Sequence, residues 1–284
     1  MIVAPRTRPV GSGEVRRLLP WRERRMVGPF IFLDLMGPED IPAGEGMDVD
    51  VHPHIGLSTL TYLLSGEVRH RDSLGTVQTI TAGAVNWMTA GEGITHTERT
   101  PPERRAGGST LFGVQTWVAL PTGAEDGPAR FEHSDPAEVP VVGAEGAVVR
   151  VAAGTGWGER APVQGSSPLV LADVTLSGGA IGIEVDHPEM AVVVLDGQVE
   201  VGGRALEPGW MVILDDVDRA RSLRGTGRAV VIGGEPLGPR HIWWNFVHSD
   251  PERIEEAKHR WRNLDFPLVP GDADHPVPLP GGVG

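Results

Sequence analysis

Short β-type runs, divided by glycine and proline turn signals, recur along this chain with too little room between them for helices. In the first half they fall at Pro29 to Met36, Leu57 to Leu64, Val77 to Ile80, Ala84 to Met88 and Leu111 to Leu120, with turns at Ser65-Gly66, Asp72-Ser73-Leu74-Gly75 and Ala82-Gly83. Strands so spaced describe an antiparallel meander folded into a sandwich or barrel. The 39 glycines and 25 prolines punctuate apolar runs rather than forming a repeat, which argues against collagen or disorder.

The second half repeats the theme at Leu169 to Leu176, Ala180 to Val185, Met190 to Leu195, Gln198 to Val201, Gly209 to Leu214 and Ala229 to Ile232. Two tracts align with the first half. Leu60 to Val68 resembles Ala191 to Val199, and Thr81 to Trp87 resembles Leu206 to Val212. This suggests duplication. With 284 residues, two mid-sized domains are expected: an N-terminal barrel over residues 1–132 and a C-terminal barrel over 133–284. The boundary falls in the polar stretch Pro121 to Pro140, which reads as a linker. One helix is expected over about 251–262: Asp250 offers an N-cap, Pro251 suits the first helical position, and Ile254, Ala257 and Trp261 recur at helical spacing. It is assigned to the C-terminal half, its apolar stripe packed on a barrel.

Composition removes several function classes. The formal charge is −13 with no extended Lys/Arg stripe, so the field repels nucleic acid and anionic membranes. Without cysteine there are no disulfides, thiolate nucleophiles or Cys-type zinc sites. The single lysine, Lys258, lies in the helical segment without a Gly-rich loop, which sets aside Schiff-base and P-loop chemistry. No leader-like or 18-residue apolar stretch is visible, and the expectation is a soluble cytoplasmic protein.

The chemistry concentrates in two pairs. Side chains two apart on a strand share a face, so His52-Pro53-His54 presents two imidazoles together and His96-Thr97-Glu98 an imidazole with a carboxylate. One His-x-His among ten histidines is as readily surface or core chemistry; two pairs at matching positions about two apolar runs point to a metal. His52, His54, His96 and Glu98 are therefore the candidate ligands of one mononuclear divalent ion. Three imidazoles and a carboxylate suit Fe(II) first, with Mn, Ni, Cu or Zn also compatible. Four protein ligands would leave coordination positions open. Counting the same offsets in the second half gives Ile183, Val185, Ser222 and Arg224, so an ungapped second barrel has lost every ligand. His187 and Glu189 read as a surface turn pair, and His70 with Asp72 as a solvated hairpin.

At these residues a family resemblance appears. His52-Pro53-His54, His70-Arg71-Asp72-Ser73-Leu74-Gly75, Asn86 to Gly91, Gly93 to Glu98, Gln115 to Val118, Gly234 to Leu237 and Trp243 to Val247 resemble the pirin family of the cupin superfamily, over nearly the whole chain. The resemblance implies an all-β fold of two tandem cupin (jelly-roll) barrels with a short C-terminal helix, and a metal, usually iron, in the N-terminal barrel at His52, His54, His96 and Glu98. Many pirins carry Arg and Glu after the second histidine, where this chain has Ile55 and Ser58. A ligand glutamate is thus missing at 58, leaving Glu98 as the expected carboxylate.

The resemblance further implies an iron-dependent dioxygenase of quercetin type, with a phenolic or other chelating substrate and O₂ as partners. The alternative is a non-catalytic iron or redox sensor that binds a transcription factor or metabolic enzyme, without direct DNA contact and without a membrane. Glu98 is the candidate catalytic base, or equally a permanent ligand with no proton role. Leu57, Trp87 and Met88 are candidate pocket walls, although large apolar residues in a barrel are more often core. Gln115 would hydrogen-bond a ligand or a water beside it, or satisfy backbone.

Overall fold

The computed structural model describes residues 1–214 and 222–281. It forms two compact units, each discontinuous in sequence. One, here the histidine unit, comprises Arg8–Val15, Met36–Glu132 and Gly238–Gly284; the other comprises Met1–Thr7, Arg16–Leu35 and His133–Leu237. The C-terminal segment therefore belongs to the unit that carries the histidines, not to the half of the chain it follows. Strand is the dominant regular structure among the described residues, with one short α-helix, Pro102–Gly107, a 3-10 turn at Thr122–Ala124, and the expected helix, Pro251–Arg262. No helix among them is long and apolar enough to cross a membrane.

The histidine unit includes β1 (Asp48–His54), β2 (Leu57–Ser65), β3 (Glu67–Asp72), β4 (Val77–Thr81), β5 (Val85–Thr89), β6 (Ile94–Arg99) and β7 (Ser109–Ala119). They divide between a four-stranded sheet in the order β1-β6-β3-β4 and a sheet containing β5-β2-β7. Strict alternation in β3, where Val68, His70 and Asp72 are buried and the residues between them are not, sets its inward face. Met36, Leu63, Val68, Ile80 and Leu111 pack part of the core. Strand β1 is the edge of its sheet, where Pro53 removes no ladder hydrogen bond that an interior strand would need. The tail covers this edge: Val277 donates its backbone N–H to the Val51 carbonyl at 2.8 Å, and Ile55 bridges Phe246.

The second unit has β8 (Val141–Ala144), β9 (Ala147–Gly156), β10 (Leu169–Gly182), β11 (Glu189–Val201), β12 (Arg204–Leu206), β13 (Met211–Leu214) and β14 (Ser222–Gly234). These pair in the order β13-β11-β14-β10-β9-β8, with β12 beside β11. Two gaps between the expected runs are strand interior instead. The ladder shifts register between Val194 and Asp196 and between Ser177 and Ala180 within continuous strands, and positive-φ Gly197 and Gly178 sit at or beside these irregularities. Equivalent hydrogen bonds mark the duplication: Gly83 N–H to Leu63 C=O at 2.8 Å, and Gly209 N–H to Val194 C=O at 2.7 Å.

The stretch Pro121 to Pro140 is not a solvated linker. Glu125 within it is fully buried, receives the Ser249 N–H at 2.8 Å and pairs with Arg240 at 2.8 Å. A low-apolar composition concealed an anchor made of charge. In the C-terminal helix, Asp250 caps by accepting the Glu252 N–H at 2.8 Å. Its buried Ile254, Ala257 and Trp261 pack with Val51, Ile55, Phe246 and Phe266, at about 1.5–3 kcal/mol for each large side chain. This places the helix behind the strand that bears the first histidine pair.

Candidate metal centre

The register of β1 against β6 places His96 opposite His52 and Ile94 opposite His54, so the two sequence pairs meet across adjacent strands. Ring centroids are 5.0 Å apart for His52 and His54, 4.2 Å for His52 and His96, and 5.1 Å for His54 and His96. All three rings are buried, and one ligand nitrogen of each lies within 4.8 Å of the others. The register slips between His96 and Glu98, which re-aims the carboxylate. Glu98 accordingly groups with His96 and His70 in a second, overlapping constellation. Among the described residues, these are the only groups of three or more such donors close enough to hold an ion.

Hydrogen bonds fix which nitrogen is free. His52 Nδ1 lies 2.7 Å from the Asp50 carbonyl oxygen and His54 Nδ1 lies 3.1 Å from that of Asn245. A carbonyl only accepts, so both Nδ1 atoms carry hydrogen. Burial lowers the pKa of His52, despite the opposing bond to Asp50. Burial, with neighbouring imidazoles, pushes His54 and His96 well below the ordinary histidine range. Neutral rings with hydrogen on Nδ1 present Nε2 lone pairs, the form a metal binds. His96 Nε2 is buried and has no hydrogen-bond partner among the protein atoms. An orphaned buried nitrogen beside two neutral imidazoles fits a metal ion.

The Asn245 carbonyl reaches His54 from a two-residue hairpin turn between His241–Trp243 and Phe246–His248. Trp244 holds φ +52° there, uncommon for a residue with a side chain, and its indole packs against Phe246 and Trp261. A candidate ligand is thus oriented by sequence almost two hundred residues away, which no local motif discloses.

Around the rings, Gln115 Nε2 donates to Glu98 Oε1 at 2.7 Å, so Gln115 holds the carboxylate rather than backbone. Trp117 meets His54 edge-on at 5.2 Å. Leu57 and Trp87 are fully buried, Trp87 donating to Thr89 Oγ1 at 3.1 Å. Met88 packs with Ala90, Ile94 and Phe131, and Phe131 stacks on His70 at 4.7 Å. His70 and Asp72 are not a solvated hairpin: they are 4% and 0% exposed, and His70 Nε2 meets Asp72 Oδ2 at 3.0 Å. The alternation of β3 was the signal that the turn residues beside it obscured.

In the second unit, Ile183 joins the apolar core and Val185 packs against it. Arg224 pairs with Glu200. Glu189 is structural, receiving the Gly28 N–H at 2.7 Å and pairing with Arg24.

Comparison with known proteins agrees with this architecture. The sequence profile described as Pirin matches residues 12–118, and that of the Pirin C-terminal cupin domain matches residues 171–267. A pirin-like protein of Caulobacter vibrioides is 42% identical over 292 residues, covering 99% of both chains. The crystal structure of quercetin 2,3-dioxygenase from Acinetobacter baumannii superposes with a TM-score of 0.90 at 34% identity, over 100% of this chain and 97% of that one. The nickel(II) complex of the bacterial pirin YhhW from Escherichia coli shares the fold at 17% identity, with a TM-score of 0.64 over 83% of this chain and 99% of that one.

Proposed function

The chain belongs to the pirin family of bicupins, and from that premise we propose that it is a metal-dependent dioxygenase acting on a flavonol or similar chelating phenol. The observation that carries this reading is the buried trio His52, His54 and His96, in a chain similar over its full length to a quercetin 2,3-dioxygenase. These three, with Glu98 as the candidate carboxylate, would hold a divalent ion, Fe(II) by preference, which when bound supplies Lewis-acid polarisation of a phenolic oxygen and redox coupling to O₂.

The protein's own contribution is placement and proton handling. Glu98 is the candidate base: Gln115 fixes one carboxylate oxygen and leaves the other able to take a proton from a substrate hydroxyl. Trp117 packs edge-on against His54 and Phe131 stacks on His70, apolar surfaces that would limit water beside the rings and strengthen the electrostatic contacts within. Leu57 and Trp87 act as packing that keeps β2 and β5 rigid, while Met88 backs the Phe131 wall.

Oxygen uptake with quercetin after iron loading, in wild type and His54→Ala, tests the proposal. Uptake proportional to bound iron and lost in the variant is the expected result. Stoichiometric iron without uptake would overturn the enzymatic reading in favour of a sensor.

A further inference from the structure

A buried hydrogen-bonded chain runs from a hairpin turn to one of the three histidines. Asp72 Oδ1 accepts the backbone N–H of Leu74 at 2.9 Å and of Thr76 at 3.1 Å, so the turn after β3 clamps the carboxylate. Its other oxygen, Oδ2, accepts from His70 Nε2 at 3.0 Å. His70 Nδ1 then lies 3.4 Å from His96 Nδ1, the longest link of the series, with Phe131 stacked on the His70 ring. The register of β6 against β3 builds this arrangement, setting His96 opposite Asp72 and Glu98 opposite His70.

We propose that His70, held by Asp72, is the positioning residue that fixes His96 with its hydrogen on Nδ1 and its lone pair on Nε2. The direction of each bond follows from the chemistry of its acceptor. The carboxylate takes the hydrogen of His70 Nε2, and across the Nδ1–Nδ1 contact, which can hold only one hydrogen, His70 Nδ1 is assigned as the acceptor and His96 Nδ1–H as the donor. The reverse arrangement would bury an Nε2–H on His96 with nothing to accept it. His52 and His54 receive the same instruction from backbone carbonyls; His96 receives it from a side chain because its neighbouring strand offers an imidazole there. The three rings thus share one tautomer, set by three different acceptors. Metal-ligating histidines are commonly oriented through the opposite nitrogen, at a cost of 10–100-fold in affinity when that partner is lost.

This inference rests on the reading of His52, His54 and His96 as metal ligands, and two readouts separate the failure of either. The first is ¹⁵N NMR of the metal-free protein, which reports imidazole tautomers directly: His96 is expected with hydrogen on Nδ1 in wild type and to lose that preference in His70→Phe, which retains a ring against Phe131. The second is Fe(II) affinity by competition with a chelator. His70→Phe is expected to bind roughly 10–100-fold more weakly. His70→Asn, whose carboxamide oxygen can stand near the Nδ1 position, is expected to recover most of the loss. Should His70→Phe unfold, the Asn variant and the wild-type NMR spectrum still decide. A wild-type His96 with hydrogen on Nε2, or His70→Phe binding iron as tightly as wild type, would overturn the role of His70 while leaving the metal centre standing. Wild type that binds no metal would instead overturn the underlying reading.

Discussion

Burial holds each imidazole of the trio below the ordinary histidine pKa, and the metal-free protein is therefore expected to be sensitive to acid. His52, His54 and His96 have folded-state pKa values below the ordinary 6.5. Above pH 6.5 both folded and unfolded chains hold these rings neutral; as pH falls below 6.5 only the unfolded chain takes up the protons, so stability declines towards the lowered folded values. Urea denaturation of metal-free protein is expected to show a lower midpoint at pH 5.5 than at pH 7.5, and a difference that shrinks when His54 and His96 are replaced by Phe or Leu. An unchanged midpoint across that range would show that the rings are not desolvated. Glu98→Gln separates the base from the ligand: iron content is expected to persist while kcat falls about 10²–10⁴-fold. Loss of iron instead would show that the carboxylate charge is needed to hold the ion and would leave its role as base unsupported.

The elements succeed by register and by close approach, and this is where local sequence was an incomplete guide. Gly56 follows β1 at φ +66°, and a Cβ there would lie 1.9 Å from the Val247 carbonyl oxygen. Gly56→Ala is expected to destabilise the fold by about 2–4 kcal/mol in equilibrium denaturation, since it combines a disfavoured conformation with a backbone clash. A change below about 1 kcal/mol would show that the hairpin can move away, and the Asn245 carbonyl with it. The alternation of two pairs, His52 with His54 and His96 with Glu98, made the three clustered histidines legible as candidate ligands, because strand geometry is local. Asn245 and His70 were not legible as site residues: one acts through a carbonyl at a remote turn, the other beside an Asp-Ser-Leu-Gly sequence that also describes a solvated loop. The runs Met190 to Leu195 and Gln198 to Val201 were separated for the converse reason, as a glycine beside a bulge looks locally like a turn glycine.

For the whole molecule, the duplicated plan was visible in repeated tracts, whereas the return of residues 238–284 to the histidine unit was not, because nothing local to a segment states which core it completes. That return gives the tail a role in the site. A chain ending at Leu237 lacks Asn245, Phe246 and the helix that packs with Val51 and Ile55, and it is expected to be insoluble or unable to retain metal; soluble, metal-replete protein after this truncation would contradict the role. The second unit offers no counterpart of the first histidine pair, since Ile183 and Val185 pack apolar surface at the corresponding positions, and one ion per chain is therefore the expected stoichiometry. The most direct measurement is elemental analysis of iron-loaded protein, wild type beside His52→Ala, His54→Ala and His96→Ala, with circular dichroism to confirm that each is folded. The expected result is one ion per wild-type chain and almost none in each folded variant; an ion retained by all three variants, or none in wild type, would contradict the metal centre itself.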